Sequence, residues 1–171
     1  MDAISDARLQ QVNPILAARV RQLEQTLGFE IRVTQGLRTS AEQTALYAQG
    51  RLALVTVNLL RKQINQAPIT QEENIRVTDA APGQSWHEYG LAVDVVPMVP
   101  TPDWNESHPT WQKIVQSAVN FQLKDGIGWR DEPHLQPIEI PLSPTPQYIA
   151  MLASQSFQAC WKLAGLVEQS V

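Results

Sequence analysis

A chain of 171 residues that is 43% hydrophobic and carries 13 Lys+Arg against 17 Asp+Glu, for a formal net charge of -4, holds enough apolar mass for one core and too little length for a second catalytic domain. That apolar content excludes a mainly disordered protein. Mild acidity with scattered basic residues offers no stripe for a phosphate backbone, so no nucleic-acid partner is expected.

The opening MDAISDARLQ has neither a basic n-region nor an apolar h-region, and nothing approaches the roughly 18 to 20 apolar residues of a membrane span. The expectation is a monomeric, soluble product made in the cytoplasm without a signal peptide and without an integral membrane segment. After Asn13-Pro14, Leu16, Val20, Leu23 and Leu27 recur at spacings of four, three and four. That spacing predicts a helix with Asn13 as N-cap, Pro14 in its first turn and Gly28 at its end. Phe29, Ile31 and Val33 then alternate with Glu30, Arg32 and Thr34 as a half-buried strand. Ser40 with Gln43 resembles a capping box opening a helix that Gly50 closes.

Residues 51–64 carry enough apolar side chains for another helix, and the two prolines and weak periodicity of 65–84 predict a long loop. Leu91, Val93 and Val95 alternate with Ala92, Asp94 and Val96 in a strand that Pro97 terminates. An apolar stripe after Trp111 predicts a helix over 109–123, broken by Gly126 and Gly128. Past Pro137, Pro141, Pro144 and Pro146, one or two helices are expected over 146–167, packed onto the core because some 25 residues bury little alone. The single cysteine, Cys160, lies in the apolar setting SFQACWKLAGL. It excludes an intramolecular disulfide and reads as buried packing.

Chemistry concentrates in two segments. In QSWHEYGLAVDVV, His87 precedes Asp94 by seven positions, and in WRDEPHLQ, Asp131 lies three before His134. Two imidazoles and a carboxylate are a reasonable catalytic zinc set with a position left open for water. An acid inside an apolar strand needs a positive or metallic partner, which makes Asp94 the residue that motivates the site. The residues alone also fit other readings: His87 as a loop residue, His134 as a hydrogen-bonding group before Pro137, Asp94 as the partner of Arg38, and Glu132 as a rival to Asp131. His108, before a helix, reads as a cap rather than a ligand.

Taken together, GLRTSAEQTALYAQG, GQSWHEYGLAVDVVP and DEPHLQ resemble the VanY-like D-alanyl-D-alanine carboxypeptidase family of zinc peptidases, and within it the L-alanyl-D-glutamate endopeptidase branch that includes phage endolysins. The Ser-x-His-x-x-Gly-x-Ala-x-Asp pattern of that family is matched at Ser85, His87, Gly90, Ala92 and Asp94. The resemblance implies an α+β fold, a small antiparallel sheet flanked by helices, with one zinc ion in a cleft at the sheet edge. It implies His87, Asp94 and His134 as metal ligands, Asp131 as general base and Arg38 as the group that binds substrate and steadies negative charge. Ser85, Gln43 and Tyr47 match positions near the metal or the cleft, with ordinary packing an equal reading for Tyr47. One domain over 1–171 is expected, with 12–137 as catalytic core and 141–171 as a helical extension. The implied partner is the bacterial peptidoglycan stem peptide, cut in the cell wall after release, most specifically between L-alanine and D-glutamate. Removal of a terminal D-alanine by a D,D- or L,D-carboxypeptidase and a non-catalytic wall-binding role are the alternatives. Departures from the pattern, a long 51–84 segment and Leu135 after the last histidine, bear on cleft shape rather than on the metal set.

Overall fold

A computed structural model describes residues 1–126, 131–154 and 156–167, the side chains of Gly126, Asp131 and Glu132 excepted. Its elements are α1 (Ala3–Leu9), α2 (Pro14–Leu27), β1 (Ile31–Gln35), α3 (Ser40–Ala48), α4 (Leu54–Gln63), β2 (Val93–Pro97), α5 (Pro109–Ala118), β3 (Leu123–Gly126), β4 (Asp131–Pro137), α6 (Pro146–Ala153) and α7 (Phe157–Leu163). Single 3-10 turns at Trp86–Tyr89 and Val119–Phe121 complete it. The four strands form one antiparallel sheet in the order β1-β2-β4-β3, so the fold is the α+β arrangement expected.

Local chemistry explains α2 well. The Asn13 side chain accepts from the amides of Ile15 and Leu16, Pro14 occupies the first turn and Gly28 closes the helix at φ 76, a conformation that favours glycine. Its buried stripe of Leu16, Val20, Leu23 and Leu27 packs with Ile31 and Val33 of β1, Val93 and Val95 of β2, Ile114 of α5 and Leu135 of β4. A second cluster joins Trp86, Tyr89 and Leu91 to Ile140, Tyr148, Cys160 and Leu166. Trp86 and Tyr148 meet edge to face at 4.8 Å. The C-terminal helices are therefore packed onto the core, and Cys160 is buried as its setting predicts.

Several local expectations change. Thr39 with Glu42, one residue earlier than Ser40 with Gln43, forms the capping box of α3: the Thr39 hydroxyl accepts from the Glu42 amide at 3.1 Å and the Glu42 carboxylate accepts from the Thr39 amide at 2.7 Å. The shift leaves the Gln43 side chain available for another contact. The predicted 109–123 helix ends at Ala118, because Gln122 turns the chain at φ 55 and delivers Leu123 into the core from β3. DEPHLQP, to which the sequence assigns no element, is β4, drawn out by pairing with β2 and β3. The helix expected over 51–64 begins at Leu54 and buries Val57, leaving Val55 and Leu59 exposed. α1 has no counterpart among the expected elements. Its Ser5 hydroxyl accepts from the Val33 amide and its Arg8 guanidinium donates to the Val33 carbonyl, so it covers the outer edge of β1.

Candidate metal centre

Two antiparallel strands and one short turn assemble the site. Asp94 on β2 stands directly across from His134 on β4, and such cross-strand neighbours have Cβ atoms roughly 5 Å apart. His87 comes from the 3-10 turn Trp86–Tyr89, which Gly90 closes at φ 63 before the chain enters β2. Its Cβ-free backbone faces the α1–α2 connection, with Val12 Cα at 3.4 Å from a Cβ built there. One donor atom each from His87, Asp94 and His134 lies within 4.8 Å of the other two. His87 Nε2 is 3.2 Å and His134 Nδ1 is 3.6 Å from Asp94 Oδ1.

The outer nitrogens of both imidazoles are committed. His87 Nδ1 is 2.9 Å from the Gly36 carbonyl oxygen and His134 Nε2 is 2.9 Å from Gln136 Oε1. Those oxygens only accept, so each outer nitrogen carries a proton, and in the neutral form of either ring the inner nitrogen turns a lone pair toward Asp94. Gln136 is fully buried and its amide nitrogen donates to the Pro141 carbonyl at 3.0 Å, which fixes which end of the amide faces His134.

This arrangement fits a divalent cation. The buried Asp94 Oδ1 has no hydrogen-bond partner, although two imidazole nitrogens approach it. Ligand atoms of a tetrahedral zinc site, at about 2.0 to 2.2 Å from the ion, stand roughly 3.3 to 3.6 Å apart, close to the 3.2 and 3.6 Å that separate the two imidazole nitrogens from Asp94 Oδ1. Two neutral nitrogens, one carboxylate oxygen and hydrogen-bonded outer nitrogens are the donor chemistry zinc takes. Burial pushes the Asp94 carboxyl up, but positive charge on the His87 and His134 rings, with the hydrogen bonds they donate when protonated, outweighs it and holds it below the usual carboxylate range. Asp94 is thus an anion at neutral pH.

Arg38 is locked beside this set. Its Nη2 lies 3.7 Å from Asp94 Oδ2, its Nη1 donates to Gln43 Oε1 at 2.8 Å, and its backbone amide donates to the His87 carbonyl. Gln43, freed from the capping role, also donates to the Ala80 carbonyl at 2.6 Å. A cleft of about 910 Å³ opens over the three donors. Arg38 and Ser85 line it, with the 76–80 loop on one wall and 142–144 on another. Tyr47 is not brought to the cleft; its ring lies 3.9 Å beneath the Arg51 guanidinium. His108 caps α5 by accepting from the Thr110 amide, as expected. The Asp131 side chain lies outside the described residues; its backbone begins β4. Gln136 escaped sequence reasoning, although its place two residues after His134 puts both on one face of a strand.

A family profile described as VanY, D-alanyl-D-alanine carboxypeptidase, matches residues 8–125. The chain belongs to the VanY family. It is 30% identical over 123 residues to the peptidoglycan L-alanyl-D-glutamate endopeptidase CwlK of Bacillus subtilis strain 168. That alignment takes in 65% of this chain and 62% of CwlK, so the chain spans under two thirds of that relative. Among solved structures it is similar to the L-Ala D-Glu endopeptidase ChiX of Serratia marcescens, with TM-score 0.51, 22% identity, 80% of this chain and 88% of ChiX covered. A D,D-pentapeptidase VanY variant from the VanB-type vancomycin resistance cassette, solved with Zn(II), gives TM-score 0.51 and 14% identity over 90% of this chain and 78% of that one. At such identities the structural likeness shows the fold. The VanY profile match stops before His134, so the β2–β4 register carries that residue to the site. Among the described residues, no helix is long and apolar enough to cross a membrane.

Proposed function

We propose that this VanY-family chain is a zinc-dependent peptidase that hydrolyses an amide bond of the peptidoglycan stem peptide, between L-alanine and D-glutamate. The observation that carries the reading is the convergence of His87 Nε2, Asp94 Oδ1 and His134 Nδ1, with both outer imidazole nitrogens held by oxygen acceptors. The names of the relatives CwlK and ChiX support the L-alanyl-D-glutamate bond as the one cut.

In this reading His87, Asp94 and His134 hold the ion. Zinc in such a donor set supplies Lewis acidity to water and to a substrate carbonyl. Arg38, fixed by Gln43 and Asp94, faces the cleft with a charge suited to the oxyanion that develops as the carbonyl is attacked. Asp131, assigned by the resemblance of DEPHLQ to the family's Asp-x-x-His, takes the proton of the attacking water on its carboxylate and returns it to the departing amide nitrogen. The 76–80 and 142–144 segments wall the cleft and limit the length of peptide admitted. The catalytic core is assigned to 12–137, the 141–171 segment is its extension, and wall peptide is the partner.

A second reading is removal of a terminal D-alanine. The family description favours it, since a buried guanidinium also suits a terminal carboxylate. The test is mass spectrometry of products from a defined stem peptide. Products parted between L-alanine and D-glutamate support the endopeptidase; free D-alanine replaces it with the carboxypeptidase. Asp131→Asn is expected to keep zinc and lose activity by roughly 10²- to 10⁴-fold, and undiminished turnover would remove Asp131 from the mechanism.

A further inference from the structure

The VanY profile match ends at residue 125, while the segment from Pro141 to Leu166 packs onto the core and supplies 142–144 to one wall of the cleft. We infer that this segment is a positioning part of the metal centre, acting through the Pro141 carbonyl, which holds both imidazoles by way of Gln136 and Trp86. The inference rests on the reading that His87 and His134 bind the ion.

Three hydrogen bonds carry it. Gln136 Nε2 donates to the Pro141 carbonyl at 3.0 Å, and the same oxygen accepts at 3.0 Å from Trp86 Nε1, which also reaches the next carbonyl of the segment, that of Leu142, at 3.2 Å. The other end of the Gln136 amide accepts from His134 Nε2 at 2.9 Å. Trp86 is the immediate neighbour of His87 in the 3-10 turn, with its indole buried against Tyr89 and Tyr148. One carbonyl oxygen, using both lone pairs, therefore fixes the amide behind one imidazole and the indole beside the other. Gln136 and Trp86 are buried and so is the bond between His134 and Gln136, so losing the Gln136 acceptor leaves a buried imidazole N–H without its partner.

The carbonyl itself is held by the C-terminal helices. Ile140 is buried in the cluster that contains Tyr148 of α6 and Cys160 of α7. Trp161 Nε1 donates at 2.8 Å to the carbonyl of Tyr89, the last residue of the turn that carries His87. The Leu166 carbonyl accepts from the Asn13 side chain at 2.8 Å, which anchors the segment's far end to the start of α2. Leu142, Ser143 and Pro144, immediately beyond Pro141, line the cleft. Outer-shell partners of ligating histidines set ring orientation and tautomer and are commonly worth roughly 10- to 100-fold in metal affinity.

The experiment measures zinc Kd by chelator competition, the visible spectrum of the cobalt-substituted protein and the Tm of the metal-free protein, for wild type, Gln136→Leu, Gln136→Glu, Trp86→Phe and Asp94→Ala. All Kd values are taken well below the lowest Tm, so only folded protein is compared. Gln136→Leu removes the acceptor behind His134 and is expected to weaken zinc by roughly 10- to 100-fold and to alter the cobalt spectrum. Gln136→Glu keeps that acceptor but loses the donation to Pro141, and its Kd is expected between those of wild type and the Leu variant. Trp86→Phe keeps the ring and loses the indole donor, and is expected to weaken zinc by at least about threefold, a fraction of the outer-shell effect. Wild-type Kd and cobalt spectra in both Gln136→Leu and Trp86→Phe, with only Tm lowered, would reduce the segment to packing and overturn the inference. A wild-type Kd in Trp86→Phe alone would overturn the sharing of Pro141. Failure of the metal reading is separately visible, since zinc binding that survives Asp94→Ala would place the ion elsewhere.

Discussion

Asp94 concentrates the tension of the whole site. A carboxylate in a strand of valines is costly to bury, and Arg38 at 3.7 Å is too distant for a direct hydrogen bond. The compensation is built for a cation: two imidazoles turned inward by Gly36 and Gln136. Asp2, far from the cleft, shows the opposite economy. It caps α1 by accepting from the Ser5 amide at 2.8 Å and pairs with Arg32 at 2.7 Å. The Ser5 amide foremost, then the Ser5 hydroxyl and Arg32, lower its carboxyl to about 2. A folded-state value below the roughly 3.9 of an unfolded aspartate means stabilisation that is complete above that value and lost as pH falls toward 2. Asp2→Ala should therefore cost about 1 kcal/mol at pH 7, a Tm drop of roughly 2 to 4 °C. In thermal melts the gap to wild type should close as pH falls from 4 to 2; a gap that held constant would contradict the assigned titration.

At the scale of elements, legibility followed the length of each pattern. α2 announced itself because four leucine or valine positions and both caps agree. β2 was readable from alternation, and His87, Gly90 and Asp94 were readable from a motif that sits within one turn and one strand. β3 and β4 were not: β3 has only four residues, β4 contains two prolines, and their strand character comes from their pairing partners. For the same reason Gln136 went unnoticed: its role depends on the Pro141 carbonyl, which no periodicity places. α1 was hidden by its seven-residue length. The loop after α4 was read as a loop, but its order is tertiary. Asn74 accepts from the Gly50 amide and donates to the Leu52 carbonyl. A Cβ at Gly50 would stand 2.3 Å from the Arg76 amide nitrogen, at φ +66. Gly50→Ala must therefore displace the loop that walls the cleft. We expect Tm to fall by several degrees, from more than about 1 kcal/mol of backbone strain, and KM to rise while zinc Kd stays at the wild-type value. Unchanged KM would show that the 76–80 loop plays no part in holding substrate.

Across the whole molecule, two apolar clusters hold the elements that carry the donors. The larger joins α2 and α5 to the sheet and holds β2 and β4 in the register that opposes Asp94 to His134. The smaller joins Trp86 and Tyr89 to α6 and α7 and holds the turn that carries His87. The site is thus a junction between a sheet-based core and a C-terminal helical buttress, which is why His87 and His134, 47 positions apart in sequence, converge. The central claim is that this junction binds zinc and that hydrolysis depends on it. Its most direct test is zinc stoichiometry and peptidoglycan product analysis by mass spectrometry on the same preparations of wild type, metal-stripped wild type and Asp94→Ala. The account predicts about one zinc per chain and metal-dependent release of stem peptide fragments by wild type alone, restored to the stripped protein by added zinc. Equal cleavage by the stripped protein or by Asp94→Ala would contradict it.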